Sequence, residues 1–291
     1  MPQTQDSPSL VRPAGLPRYD SVLVHVERDK VSTRRTEVAV EVARSFGARL
    51  IGLGAESIEP IPPADPYGGL MTAEWVAAMQ KQVSEDLASA EAAFARDATG
   101  VETEWRCVQD MPARALAGAA EAADLIVAGG TAPALGDDSR CADVAEVVLR
   151  AGRPVLVAPA EPAKLSGKAV IVAWKDTRES RRAVADALPF LARAEQVVVM
   201  AVCAEDEVET AKAHAEDVAA TLRRRGVKAR AHVVTAPEAS VAEELNAEAA
   251  AIGADLIVAG AYGHTRLAEW VCGGVTRELL RRPQRFLLLS H

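Results

Sequence analysis

Ala254-Asp255-Leu256-Ile257-Val258-Ala259-Gly260-Ala261-Tyr262-Gly263, continuing to Gly273-Gly274-Val275-Thr276, decides how the rest of the chain is read. An apolar run ends on a glycine, a second glycine follows three positions on, and a glycine pair precedes an amphipathic run from Val275 to Arg282. The pattern predicts a buried strand, a permissive loop and a helix N-terminus. Glycine tolerates positive φ and lets a ligand approach the backbone. A helix start presents free N–H groups to an anion. The strand occurs twice: Ala123-Asp124-Leu125-Ile126-Val127-Ala128-Gly129 is identical to Ala254–Gly260 over seven residues.

Working outward, the repeat extends over both halves. Adding 131 takes Asp124 to Asp255, Gly129 to Gly260, Leu149-Arg150 to Leu280-Arg281 and Val155 to Phe286. In the first copy, runs at Ser21–Val26, Leu50–Leu53, Val101–Val108, Leu125–Ala128 and Pro154–Val157 read as strands. Helical periodicity separates them, as with Ala39, Val42, Ala43 and Phe46 before a stop at Gly47. The second copy repeats this with strands at Val170–Trp174, Val197–Val202, Ala229–Val234, Leu256–Val258 and Phe286–Leu289. Between them Ala183, Val184, Ala187, Leu188 and Leu191 give one helical face. Strands apolar throughout belong to parallel sheets covered on both faces. The fold class is therefore α/β: two repeated open, mostly parallel five-stranded sheets flanked by helices. Divisions are expected at 1–17 (a loose tail), 18–158 (first domain), 159–167 (a proline-bearing linker) and 168–291 (second domain). Each copy ends on an apolar strand that would be an exposed edge if left alone, an association hazard. Both strands therefore need a partner.

A chain of 291 residues accommodates two such units. Its net charge of −8 argues against a general nucleic-acid binder. No apolar run approaches the ~20 residues of a membrane span. Cys107, Cys141, Cys203 and Cys272 show no C-x-x-C spacing and read as free thiols of a reducing cytoplasm. The histidines share no metal-ligand spacing, and neither a G-x-x-x-x-G-K-[ST] motif nor a Ser/His/Asp arrangement is present, so no catalytic or metal-ligating residue is assigned.

Two copies of this unit, with Gly260-x-x-Gly263, nine residues, then Gly273, resemble a tandem universal stress protein. The resemblance implies a Rossmann-like sheet in each copy and an adenine nucleotide, ATP or a relative, at the second one; because last strands commonly pair between protomers in that family, it also implies that the two terminal strands pair with each other as an intramolecular pseudo-dimer, further dimerisation staying open. Magnesium would come only with the nucleotide. It carries Gly260, Gly263, Gly273, Val275 and Thr276 over as matching loop positions, with Val202 near the backbone that meets adenine and the base lying toward the strand ends at Ala173 and Val202. His264 and Arg266 in the loop are candidate phosphate or ribose contacts. Two positions depart from the pattern. Gly274 stands where a Ser/Thr is expected, keeping the amide and losing the hydroxyl. Lys175 replaces the acid after the first strand and, having no lone pair, could only meet a phosphate. The first copy departs further: Ala132, Ala142 and Asp143 replace Gly263, Gly273 and Gly274, and Glu27 keeps the acidic position without those glycines. Three readings stay open: a cytoplasmic stress-response protein that binds a nucleotide in its second copy and acts through conformation or partners, a scaffold of the same type working through protein contacts alone, and a weak nucleotide hydrolase.

Overall fold

The computed structural model describes residues 15–27, 30–58, 73–129, 140–159, 163–235, 240–263, 274–281 and 283–291. In chain order the first half contains β1 (Ser21–His25), α1 (Lys30–Phe46), β2 (Arg49–Ala55), α2 (Ala73–Asp97), β3 (Thr103–Val108), α3 (Pro112–Ala119) with a 3-10 turn over Ala120–Ala122, β4 (Leu125–Ala128), α4 (Val144–Arg150) and β5 (Val155–Val157). The second contains β6 (Ala169–Ala173), α5 (Arg178–Asp186), α6 (Leu188–Leu191), β7 (Gln196–Cys203), α7 (Val208–Arg224) after a 3-10 turn over Glu205–Glu207, β8 (Ala229–Thr235), α8 (Val241–Ile252), β9 (Leu256–Gly260), α9 (Gly274–Arg281) and β10 (Phe286–Ser290).

The strands form one continuous ten-stranded sheet in the order β3-β2-β1-β4-β5-β10-β9-β6-β7-β8. The order is palindromic about its middle. Each half is parallel throughout, and the halves meet in the antiparallel pair β5–β10, with Leu156 opposite Leu288. The two end strands therefore satisfy each other's backbone groups and leave neither apolar edge open. That is the intramolecular pseudo-dimer expected from the sequence, with its pseudo-twofold axis through this pair.

Side chains alternate across the sheet with period two. Val22, Val24, Leu156, Val170, Val172, Leu256, Val258 and Leu288 fill one layer, under α1, α2, α5 and α7. Leu23, Ile126, Val155, Val157, Ile171, Ile257, Leu287 and Leu289 fill the other, under α3, α4, α8 and α9. Across the halves Tyr19, Phe46 and Phe190 pack edge to face or tilted, with centroids 5.1–5.6 Å apart. The Tyr19 hydroxyl donates to Asp186 O at 2.6 Å, and the Arg193 guanidinium caps the Phe46 ring at 3.9 Å.

The repeated heptapeptide carries a structural role in its aspartate. Asp124 accepts from the backbone of Asp20 and Ser21, at 2.9 and 3.0 Å, just before β1. Asp255 accepts from Gly167 N at 3.1 Å and from Ser166 N, just before β6. Each copy thus clamps the chain entering its first strand with the residue opening its fourth. The helical face spanning Ala183 to Leu191 is broken in two, because Pro189 has no N–H to continue the ladder.

Candidate functional site

Within the second half the strand order reverses between β6 and β9, since β6 leads outward to β7 while β9 lies on its other side. Ligands of open α/β sheets lie at such a switch point, beyond the carboxyl ends of the strands. Gly260, the last residue of β9, lies there against the start of α5. A Cβ on Gly260 would stand 2.5 Å from Ser180 N and 2.6 Å from the Glu179 carbonyl carbon. This glycine is required by the fold: helix backbone occupies the place of a side chain. At Gly263 a Cβ would stand 2.7 Å from Glu179 Oε2 and 3.6 Å from Thr177 Oγ1. Tyr262, between them, holds φ at 58°, a left-handed backbone that costs a non-glycine residue about 1–2 kcal/mol. The loop is anchored by Ala261, whose N–H donates to Ser290 O at 2.8 Å and whose carbonyl accepts from His291 Nδ1 at 3.0 Å.

The start of α5 supplies the opposite wall. Thr177 is its N-cap and accepts from Ser180 N at 3.2 Å. Glu179, in the first turn, is only 2 % exposed. One carboxylate oxygen accepts from Arg178 Nε; the other, Oε2, has no hydrogen-bond partner among the described residues. Burial alone would raise the carboxyl's pKa. The Arg178 hydrogen bond, with help from Glu179's own backbone amide and the Thr177 hydroxyl, outweighs it and holds the group below the usual range. An acid here also suits the positive end of the α5 dipole.

The sequence-predicted residues fall as follows. Gly260 and Gly263 line the loop. Gly274 opens α9, and a Cβ there would meet nothing within 4 Å. Thr276 is buried in the first turn of α9, while Val275, Ala173 and Val202 are half-buried over the same core layer as Tyr262. Lys175 is exposed, beyond the end of β6. His264, Arg266 and Gly273 lie outside the described residues, as do Ala132 and Cys272. Cys107, Cys141 and Cys203 are not joined in disulfides. The sequence reading passed over Glu179; the trace that could have found it is an acid two residues after a Thr N-cap, at the end of a strand facing the glycine loop.

The equivalent region of the first half is filled by the chain's own charges. Arg35 takes the place against Gly129, where a Cβ would stand 2.5 Å from its Nη1. Its Nε donates to His25 O at 2.9 Å and its Nη2 to Glu27 Oε1 at 2.9 Å. His25 Nδ1 lies 2.9 Å from the same oxygen, and the Cys141 thiol donates to Glu27 Oε2 at 3.4 Å. Glu27 therefore has partners, all internal. Arg140 pairs with Glu56 and Asp86 at 2.8 and 3.4 Å. Asp143 caps α4, accepting from Ala145 N at 2.9 Å, so a carboxylate already occupies that helix start.

A palindromic parallel sheet with an antiparallel seam defines the class: a tandem open α/β protein whose halves share a Rossmann-like plan. Its particular form is the universal stress protein fold. A universal stress protein from Archaeoglobus fulgidus DSM 4304 superposes with a TM-score of 0.67 at 14% identity, over 93% of this chain and 95% of that one. A putative universal stress protein from Pseudomonas aeruginosa UCBPP-PA14 gives 0.55 at 17%, over 94% and 93%. A functionally unknown protein from Pseudomonas aeruginosa PAO1 gives 0.55 at 17%, over 94% and 92%. No protein-family model matches the sequence, and no curated protein matches it. Among the described residues, no helix is long and apolar enough to cross a membrane, and no group of three or more His, Cys, Asp or Glu is placed to hold a metal.

Proposed function

We propose that the chain is a cytoplasmic stress-response module of the universal stress type, with domains at 18–158 and 168–291, and that its second half binds an adenine nucleotide. The phosphates lie at the amides opening α9, and the base lies toward Ala173 and Val202. Protein partners read out the bound state, magnesium accompanies only the nucleotide, and the chain needs no catalytic step. The observation that carries this reading is the contrast between the helix starts: Asp143 caps α4 with its own carboxylate, whereas α9 opens on Gly274 with free space where a side chain would begin. The first N–H groups of a helix have no partner within it, and they and the positive dipole end suit a phosphate.

Calorimetry with ATP, ADP and AMP tests it. Gly263→Val should abolish binding, because its side chain blocks close approach to the loop backbone. Gly274→Ser fits the open space and should tighten binding by restoring a hydroxyl, by about tenfold for a hydrogen bond to a charged group. A parent protein that binds none of the three nucleotides ends this reading. The scaffold alternative draws support from the buried Glu179 carboxylate packed beside Gly263, an anion on the face that a phosphate would approach, and mass spectrometry of the denatured purified protein for carried-over nucleotide separates the two.

A further inference from the structure

We propose that the gap between α8 and α9 is a binding site for a small zwitterion: an α-amino acid or dipeptide with an apolar side chain. The site lies at the end of α9 away from Gly274 and does not depend on the nucleotide reading. A cavity of about 560 Å³ opens there, floored by Leu279 and Leu287 and walled by Ala242 and Asn246 of α8. That volume is in the range of small-molecule sites, which are mostly apolar with a few placed polar groups. The α8 wall is held in place, because Arg285 Nη1 donates to Asn246 Oδ1 at 3.0 Å.

The two copies differ here in a way that packing does not explain. In the +131 register Val147 becomes Glu278 and Glu146 becomes Arg277, while Val148 and Arg150 keep their character as Leu279 and Arg281. In the first half Val147 is fully buried in the layer under α3 and α4, and Glu146 holds Arg150 in an ion pair at 2.9 Å. In the second half Glu278 lines the cavity where the apolar side chain would be. Arg281, at the rim, makes no ion pair or hydrogen bond among the described residues. The second copy has thus given up an apolar contact and an ion pair, and both losses fall on the same cavity.

The charges then select the ligand. Ser240 draws two carboxylates together: its N–H donates to Glu243 Oε2 at 3.0 Å and its hydroxyl to Glu278 Oε1 at 2.7 Å. Each carboxylate spends one oxygen on Ser240 and keeps the other for a further donor. Two anions held this close repel, and an ammonium between them, with three N–H donors, satisfies both. Arg281 follows Glu278 by three residues and so lies one turn along the same helix face. Its planar fork suits a carboxylate. An anion alone would face Glu243 and Glu278, and a simple cation would face Arg281. A zwitterion has a partner for each charge, and the two leucines beneath take its apolar side chain.

The test is calorimetry on the full chain with L-leucine and leucyl-leucine, in buffer with EDTA so that no divalent ion answers for the ammonium. Binding of either supports the site, and the tighter of the two fixes the length of the occupant. Acetylating the amine or amidating the carboxylate of that ligand should each weaken binding at least about tenfold, the effect of hydrogen bonds to charged groups. Glu278→Val, which restores the residue type of the first copy, should remove binding, and so should Arg281→Ala. Arg281 is exposed, so its variant keeps the test sound if the valine form folds poorly. Binding of neither ligand with a Kd below about 1 mM overturns the proposal. Binding that survives both substitutions, or that ignores the blocked charges, overturns it as well. Each of these results leaves the nucleotide reading where it stood.

Discussion

Arg35 lies against Gly129 in the first half as the helix backbone at Ser180 lies against Gly260 in the second: a side chain on either glycine would come within 2.5 Å of its neighbour. The same repeated glycine thus accepts a buried guanidinium in one copy and a helix start in the other. Arg35→Ala should destabilise the protein by about 3–5 kcal/mol, because Glu27 would lose its permanent cation while still buried. Urea denaturation measures this. The double variant Arg35→Met, Glu27→Gln should recover most of the loss; if it is as unstable as Arg35→Ala, the pairing is not the cause.

Acid should act on the same cluster. Burial opposes the charged form of Glu27, but the His25 hydrogen bond and the charge of Arg35 outweigh it and bring the pKa from 4.5 down to about 2. A depressed folded pKa stabilises the protein fully above pH 4.5, and the contribution disappears as pH falls through about 2. At ~1.4 kcal/mol per unit it amounts to about 3 kcal/mol. Glu27→Gln should flatten the stability profile across that window. An unchanged acid limb in the variant would assign the loss to other groups.

Leu156 and Leu288, both fully buried, face each other in the seam. Leu156→Ala and Leu288→Ala should each cost about 2–5 kcal/mol. As cross-strand partners they share one packing contact, so the double variant should differ from the sum by at least about 0.5 kcal/mol. Strict additivity in chemical denaturation would mean that the two side chains act independently.

Gly260→Ala should cost about 1–3 kcal/mol, the range for overpacking, since the atoms in the way are backbone of α5 and cannot rotate aside. Gly274→Ala should cost far less, having open space around the new methyl. Melting temperatures of the two variants should differ in that order, and equal values would refute the tight packing at Gly260.

Sequence periodicity was enough to find the ten strands, because strands buried on both faces leave continuous apolar runs; the seam needed the family resemblance as well, since an apolar terminal strand must be covered but periodicity does not say by what. The identical heptapeptides revealed the repeat, but the clamp made by Asp124 and Asp255 depends on which backbone comes near them, and periodicity does not encode that. Arg35 and Glu179 were missed for a related reason. Each sits among charged neighbours on a helix and reads as part of a solvated face, and only the close approach of a glycine from another strand buries it. The two-part helix ending in Leu191 was legible in principle from Pro189. Of the loop candidates, Gly260 and Gly263 pack against the start of α5, whereas His264, Arg266 and Gly273 fall outside the described residues.

The seam also sets an order of events. β5 is complete long before β10 has been synthesised, and its only antiparallel neighbour is that later strand. Until then the first half carries a short, wholly apolar edge, open to pairing with any nascent copy nearby. Covering that edge falls to β10, so a chain truncated inside α9 should keep an open site for self-association.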